Sequence, residues 1–362
     1  MNRMLRGQLL PAALTLLLRC VLALLAGNAA AVTQVLQKRT VLCLQTLIPS
    51  LFGCMALCEL LTESGAAAWL GTRLRRPARL LRLPPEVLSI FLVSQIAGYP
   101  VGTVLLRRLT GAGRLPQETA ARLACICFGG GPAFLVGLAG VQLFGSAAAG
   151  WLMLAACILS NCLLLMLCGL PPAAQKDAAP EPVSVRLTAE CITGAVSRTM
   201  RSLAGICGMV LLFGILTQLC AFCGITALLS RVGAAAGLSP QTVQAFFAAW
   251  MDVTALQGVF FCGIPFRPLL AAAAGLLSFG GICVHWQCLA LGGGMVSARR
   301  LFCIRLLAAA FTALITYAAA GLISLPETAP VFAHSTKLTE NGSFLPAFMI
   351  FLTGFPFLLK KD

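Results

Sequence analysis

Helix-length apolar runs recur from one end of this chain to the other, with most of its charges in the stretches between them. A segment needs roughly 20 mostly apolar residues to cross a bilayer as a helix. Runs of that kind fall at about 9–32, 41–61, 123–141, 149–170, 203–224, 269–292, 302–323 and 344–359. Hydrophobic residues make up 59% of the chain and charged residues 10%, far outside the range of soluble domains. The chain therefore reads as an all-α polytopic protein of the cell membrane, with about 8 transmembrane helices.

The two halves echo one another. The first half holds an apolar segment from Leu47 to Gly65, the run Ser94 to Gly102, and Phe128-Gly129-Gly130-Gly131-Pro132. The second holds Ile206 to Gly224, the run Trp250 to Gly258, and Phe279-Gly280-Gly281. Apolar segments broken by Gly and Pro at matching places in two halves point to a transporter-type binding site. The expected organisation is an N-terminal helix (1–40), a first repeat (41–170), a cytoplasmic linker (171–202), a second repeat (203–323) and a tail (324–362).

Charge sets the topology. If the apolar stretches at about 87–106 and 241–262 were ordinary spans, Arg107, Arg108, Arg114 and Arg122 would face outward, against the positive-inside rule. Read as two re-entrant hairpins, with the N-terminus inside, they leave the basic residues mostly on the cytoplasmic side. Arg73 to Arg82, Arg107 to Arg122, Arg198, Arg201, Arg299, Arg300 and Arg305 are all counted there. Lys38, Arg39, Arg231, Arg267 and Lys337 fall outside, and the Lys38-Arg39 pair fits the rule worst. The first hairpin then enters from the cytoplasm and the second from outside, which makes the halves an inverted repeat. Non-helical backbone at membrane depth must be buried in protein or line a wet cavity.

Near the N-terminus, Arg3 and Arg6 precede an apolar run and Asn28-Ala29-Ala30-Ala31, in the manner of a signal peptide. Arg19 interrupts the run, which favours a retained first helix. Trp69 to Leu83, with five arginines among leucines, reads as a helix on the cytoplasmic membrane surface, broken at Pro77 and at Pro84-Pro85.

The net charge of +15 suits contact with anionic lipid at the cytoplasmic face. It does not imply nucleic acid, because no basic face interleaved with aromatics appears. Most of the 17 cysteines lie in apolar segments as small packing residues. Cys220 and Cys223 form a CxxC, but His285 and His334 stand in no zinc-ligand spacing. No P-loop, zinc-protease or nucleophile motif is present, so neither an enzyme nor a cofactor is expected. A homo-oligomer is allowed.

Gly98-Tyr99-Pro100-Val101-Gly102 is the sharpest local motif. Pro100 removes a donor, and Gly98 and Gly102 permit sharp turning and close approach, so free backbone groups and half-helix ends become available to a solute. Asp252, with Thr254 and Gln257, occupies the matching stretch of the second half. An intramembrane carboxylate is costly enough to mark a functional site. Gly130, Pro132, Gly280, Gly281, His285 and Gln287 complete the expected substrate-binding set, with Glu59, Glu63 and Gln218 as weaker candidates.

At these motifs the chain resembles the YlbJ-type sporulation integral membrane proteins, grouped with the nucleoside-recognition Gate domain proteins. The likeness rests on Ser94 to Gly102, Gly131-Pro132-Ala133-Phe134 and Phe279 to Gln287, in order and spacing over most of 41–323. It implies a Gate-like inverted-repeat bundle and a role in forming the endospore and its cortex. Family members carry polar residues between the Phe and the Gly-Pro of the second motif, where this chain has only Gly129 and Gly130. The expected function is a permease or gate for a small polar solute or ion, nucleoside-like by analogy. The alternative is a non-transporting scaffold for spore-envelope assembly.

Overall fold

A computed structural model of the chain describes residues 2–80, 83–168, 185–262 and 264–322. Those residues are helical almost throughout, and none of them is in a strand. The apolar composition explains why: lipid offers no partner for a free amide or carbonyl, and a helix satisfies both within the segment.

Five helical segments are long and apolar enough to cross a membrane: Ala29–Glu63, Ala147–Leu167, Ala189–Phe222, Phe266–Gly292 and Ala298–Ala320. The remaining predicted spans differ in instructive ways. Helix α1 (Asn2–Gly27) is followed directly by α2 (Ala29–Leu42), which runs through a π-helical turn, Cys43–Leu47, into α3 (Ile48–Glu63). Lys38 and Arg39 are therefore part of a long apolar helix and not of a loop. The run at 123–141 is not a continuous helix. Helix α8 (Gln117–Ala124) ends there, residues 128–130 are irregular, and a π-helical segment starts at Ala133 and ends at Leu143. Gly131, at φ 69°, and Pro132 prevent a straight continuation. The predicted segment 344–359 lies outside the described residues.

The Arg-rich stretch forms α4 (Ala66–Arg73) and α5 (Arg75–Leu80). Pro77 sits within α5, early enough for its missing amide to cost no helical bond. This stretch packs on α6 (Pro85–Ala97) as well as facing outward: Ala78 is fully buried, and a Cβ on Gly71 would lie 3.3 Å from the Pro85 carbonyl.

Each Gly/Pro-broken stretch is a pair of helical pieces around a non-helical corner. In the first half α6 meets α7 (Val101–Gly111) at Gly98-Tyr99-Pro100, whose Tyr99–Pro100 bond is cis. In the second, α11 (Ile225–Ala235) leads to α12 (Pro240–Met251). Asp252 then turns the chain, at φ −144° and ψ 111°, into a 3-10 segment, Val253–Cys262. The broken segment that follows is α13 (Phe266–Phe279), left-handed Gly280 and Gly281, and α14 (Gly281–Gly292). Helices α9 (Ala147–Cys168), α10 (Ala189–Phe222) and α15 (Ala298–Ala320) brace these pieces.

Two apolar clusters form. One gathers α6, α7 and α8 and takes in Val284, Leu301 and Ala308. The other gathers the π-helical segment, α9 and α13, and takes in Leu47 and Val253. Leu51 and Tyr99 pack against both, so the first corner sits on the seam.

Polar pairings fall into two groups on the long helices. Near the end of α3, Glu59 and Glu63 bind Arg108 of α7 and Arg198 of α10 at 2.9–3.5 Å. Near the end of α2, Arg39 binds Asp252 at 2.7 Å. Twenty residues of helix separate Arg39 from Glu59, about 30 Å at 1.5 Å per residue, which matches the thickness of a bilayer's hydrocarbon core.

Candidate functional site

The first corner and the broken segment after it interlock through glycine. The Tyr99 amide donates to the Gly129 carbonyl at 2.6 Å. Gly98 is at φ 81°, and a Cβ there would come 3.2 Å from the Gly130 oxygen. On Gly131, at φ 69°, one would come 2.8 Å from the Ile96 oxygen. Gly102 is tighter still: a Cβ would meet the Cys127 carbonyl at 2.2 Å. These residues let two segments of the chain touch backbone to backbone, where a side chain would hold them apart.

In the second half, Gly281 at φ 71° brings α14 against the second corner, its Cβ position 3.0 Å from the Val253 amide. Gly280 lies under Phe128, with 2.7 Å between its Cβ position and the ring's edge. The two broken segments therefore meet each other at Phe128.

Between the corners lies a cavity of about 40 Å³, lined among others by Gly98, Tyr99, Gly130, Asp252, Thr254, Cys283 and Gln287. Asp252 is 1% exposed. One of its carboxylate oxygens accepts from the Thr254 amide at 3.0 Å, the other from the Thr254 hydroxyl at 2.6 Å and from Arg39 Nη1 at 2.7 Å. The same Nη1 lies 2.6 Å from Thr254 Oγ1. Such pairing and hydrogen bonding are what a carboxylate buried at this depth requires. The Tyr99 hydroxyl is buried and finds no partner among the described residues, and Gln287 bonds only to the Cys283 thiol, at 3.4 Å.

Not every predicted site residue reaches the cavity. Pro100 and Gly102 shape the corner behind it, and Pro132 opens the π-helical segment. Gly280 and Gly281 serve close packing. His285, 4% exposed, sits among Phe279, Phe128 and Phe302. Its Nδ1 donates to the Gly281 carbonyl at 2.7 Å, so the imidazole is the tautomer with a bare Nε2, which has no partner among the described residues. Gln257 lies on the 3-10 segment, and its side chain is outside the described residues.

Two arginines correct the charge count. Arg39, assigned to the outer loop, is instead the partner of Asp252. Arg305, counted as a cytoplasmic cation with Arg299 and Arg300, is fully buried. Its guanidinium donates to the Cys125 carbonyl (3.2 Å), to Asn161 Oδ1 (2.8 Å), and to both the carbonyl (2.6 Å) and hydroxyl (3.1 Å) of Ser278. Its charge also rests over the Phe128 ring at 4.5 Å. Cys125 and Ser278 stand at the C-terminal ends of α8 and α13, where the last carbonyls have no intrahelical donor and the helix dipole is negative. No carboxylate is within salt-bridge distance among the described residues, and two helix ends take its place.

Asn161 extends the network, donating to Gln95 Oε1 at 3.0 Å and to the Phe128 carbonyl at 2.8 Å. A continuous polar chain thus runs from the first corner through α9 and α15 to the second broken segment. The sequence signal for Arg305 was present: it stands within an apolar run, one turn past Leu301, where a cation calls for a named partner.

Comparison with known protein families, characterised proteins and solved structures finds no match.

Proposed function

We propose that this chain is a membrane permease or gate for a small polar solute or ion, built on an inverted-repeat, Gate-like plan. The observation that carries the reading is the buried Asp252, with Thr254, Gln287 and a Tyr99 hydroxyl that has no partner among the described residues, in a cavity between two non-helical corners. A protein that needed only a membrane anchor would have no use for polar groups of this cost at such depth. The pairing pattern supports the sidedness inferred from charge: Glu59, Glu63, Arg108 and Arg198 associate with one another, and Arg39 with Asp252.

At about 40 Å³ the cavity takes an ion or one or two waters, whereas sites for drug-sized ligands run to about 300 Å³ or more. A nucleoside enters only if the corners part, so alternating access is part of the proposal. The role in the endospore and its cortex, and the nucleoside-like choice of solute, rest on the family resemblance.

The test is flux into proteoliposomes bearing the full chain, starting with nucleosides, beside function in a sporulating host. Asp252→Asn and Gln257→Ala are expected to abolish both while the protein accumulates normally. Full function of either variant in the host sinks the permease reading and moves the scaffold ahead.

A further inference from the structure

A second and larger pocket lies between α2 and α10, with Arg39 but not Asp252 in its lining. It measures about 190 Å³ and is lined by Val35, Lys38 and Arg39 of α2 and by Gly214, Thr217 and Gln218 of α10. Its charged lining is basic only. Lys38 is exposed and has no carboxylate within 4.0 Å among the described residues. Arg39 faces both ways. Its Nη1 is committed to Asp252 and Thr254, while its Nε and Nη2 donate to no acceptor among the described residues.

The wall is shaped to hold that arginine. At Gly214 a Cβ would come 3.2 Å from Arg39 Cγ and 3.5 Å from Nε, so the missing side chain gives the guanidinium its berth. Thr217 spends its hydroxyl on the Phe213 carbonyl, at 2.7 Å, which leaves that oxygen's lone pairs and the Gln218 amide as the neutral polar groups of the pocket.

We infer that this pocket is an anion site, taking a phosphate or carboxylate group, and that its occupant competes with Asp252 for Arg39. The inference rests on the permease reading only for its consequence: the solute, or the group that admits it, carries negative charge. The binding chemistry stands alone. Two cations with free donors and no lining carboxylate attract an oxyanion, and Arg offers a planar fork suited to two of its oxygens. Because one guanidinium serves both carboxylate and anion, binding on one side weakens the hold on the other, and the coupling is reciprocal. Arg39 is then the movable partition between pocket and inner cavity.

Two sources present the same chemistry, a free solute and the headgroup of an anionic lipid. Inorganic phosphate is the probe, titrated calorimetrically into the full chain in nanodiscs of neutral phosphatidylcholine, and again in nanodiscs with a fifth phosphatidylglycerol. Phosphate is expected to bind in the neutral discs. Lys38→Gln, on an exposed side chain, and Arg39→Gln are each expected to weaken it on the order of tenfold, the worth of one charge-assisted hydrogen bond. Asp252→Asn, which frees Arg39, is expected to bind phosphate more tightly than the wild type while losing flux.

Weakened phosphate binding in the phosphatidylglycerol discs alone assigns the pocket to lipid headgroups, and equal binding in both assigns it to soluble anions. Either upholds the anion site. Absence of phosphate binding in the neutral discs by wild type and Asp252→Asn alike overturns it, as does unchanged affinity in Lys38→Gln. Neither of those results touches the permease reading, which stands or falls on flux.

Discussion

Arg305 holds the two halves of the fold together, and does so without an acid. Removing it strands the Ser278 carbonyl and Asn161 Oδ1, each costing about 1–3 kcal/mol if left unsatisfied, and takes a donor from the Cys125 carbonyl. Arg305→Leu is therefore expected to destabilise the protein by several kcal/mol, read as a large fall in thermal midpoint in detergent. Arg305→Lys is expected to recover only part of that, because a single ammonium does not reproduce a fork that spans two helix ends. If Arg305→Lys melts with the wild type, charge alone matters and the forked geometry does not. The residue scale is also where the sequence was least legible. Asp252, Thr254, Gln287 and the glycines announced themselves as polar or broken positions in apolar runs. Arg305 did so too, as a cation in an apolar run, but a topology count treats every cation as solvated, and only the folded chain shows which carbonyls or carboxylates lie within reach of Arg305 and Arg39.

At the scale of elements, the corners depend on glycines of unequal importance. Gly102 faces Cys127 with 2.2 Å between its Cβ position and the carbonyl oxygen, whereas a Cβ on Gly111 in the same helix meets nothing within 4 Å. Gly102→Ala is expected to force α7 off the broken segment at a cost of about 1–3 kcal/mol or more, with loss of flux. Gly111→Ala is expected to be neutral or slightly stabilising, since alanine suits a helix better. Equal thermal midpoints for the two variants would contradict the interlocked corner. The existence of these corners was legible from Gly and Pro alone, and so were most of the spans. What the sequence concealed was continuity. The helix runs unbroken through Lys38 and Arg39, because Arg39 has a partner in Asp252 and Lys38 lies exposed. The run at 123–141 is broken because Gly131 adopts a left-handed backbone that hydropathy does not register.

For the whole molecule, the separation of the two charge groups along one helix makes a prediction about sides. If Glu59, Glu63, Arg108 and Arg198 mark the cytoplasmic boundary and Arg39 the outer one, each corner is approached from a different face. Single cysteines at 94–104 and 250–260, in a version lacking the 17 native cysteines, are expected to react with impermeant reagents from opposite sides. The first stretch should label from the cytoplasm only and the second from outside only. The interlock adds a sharper expectation: positions 98 and 100 to 102, buried beside 127 to 131, should label slowly compared with the half-buried position 104. Arg39→Gln should quicken labelling around 252 from outside, because it removes the guanidinium that closes that side of Asp252. Reaction of either stretch from both faces would mean that it spans the membrane, and an inverted repeat would then have no hairpins to relate.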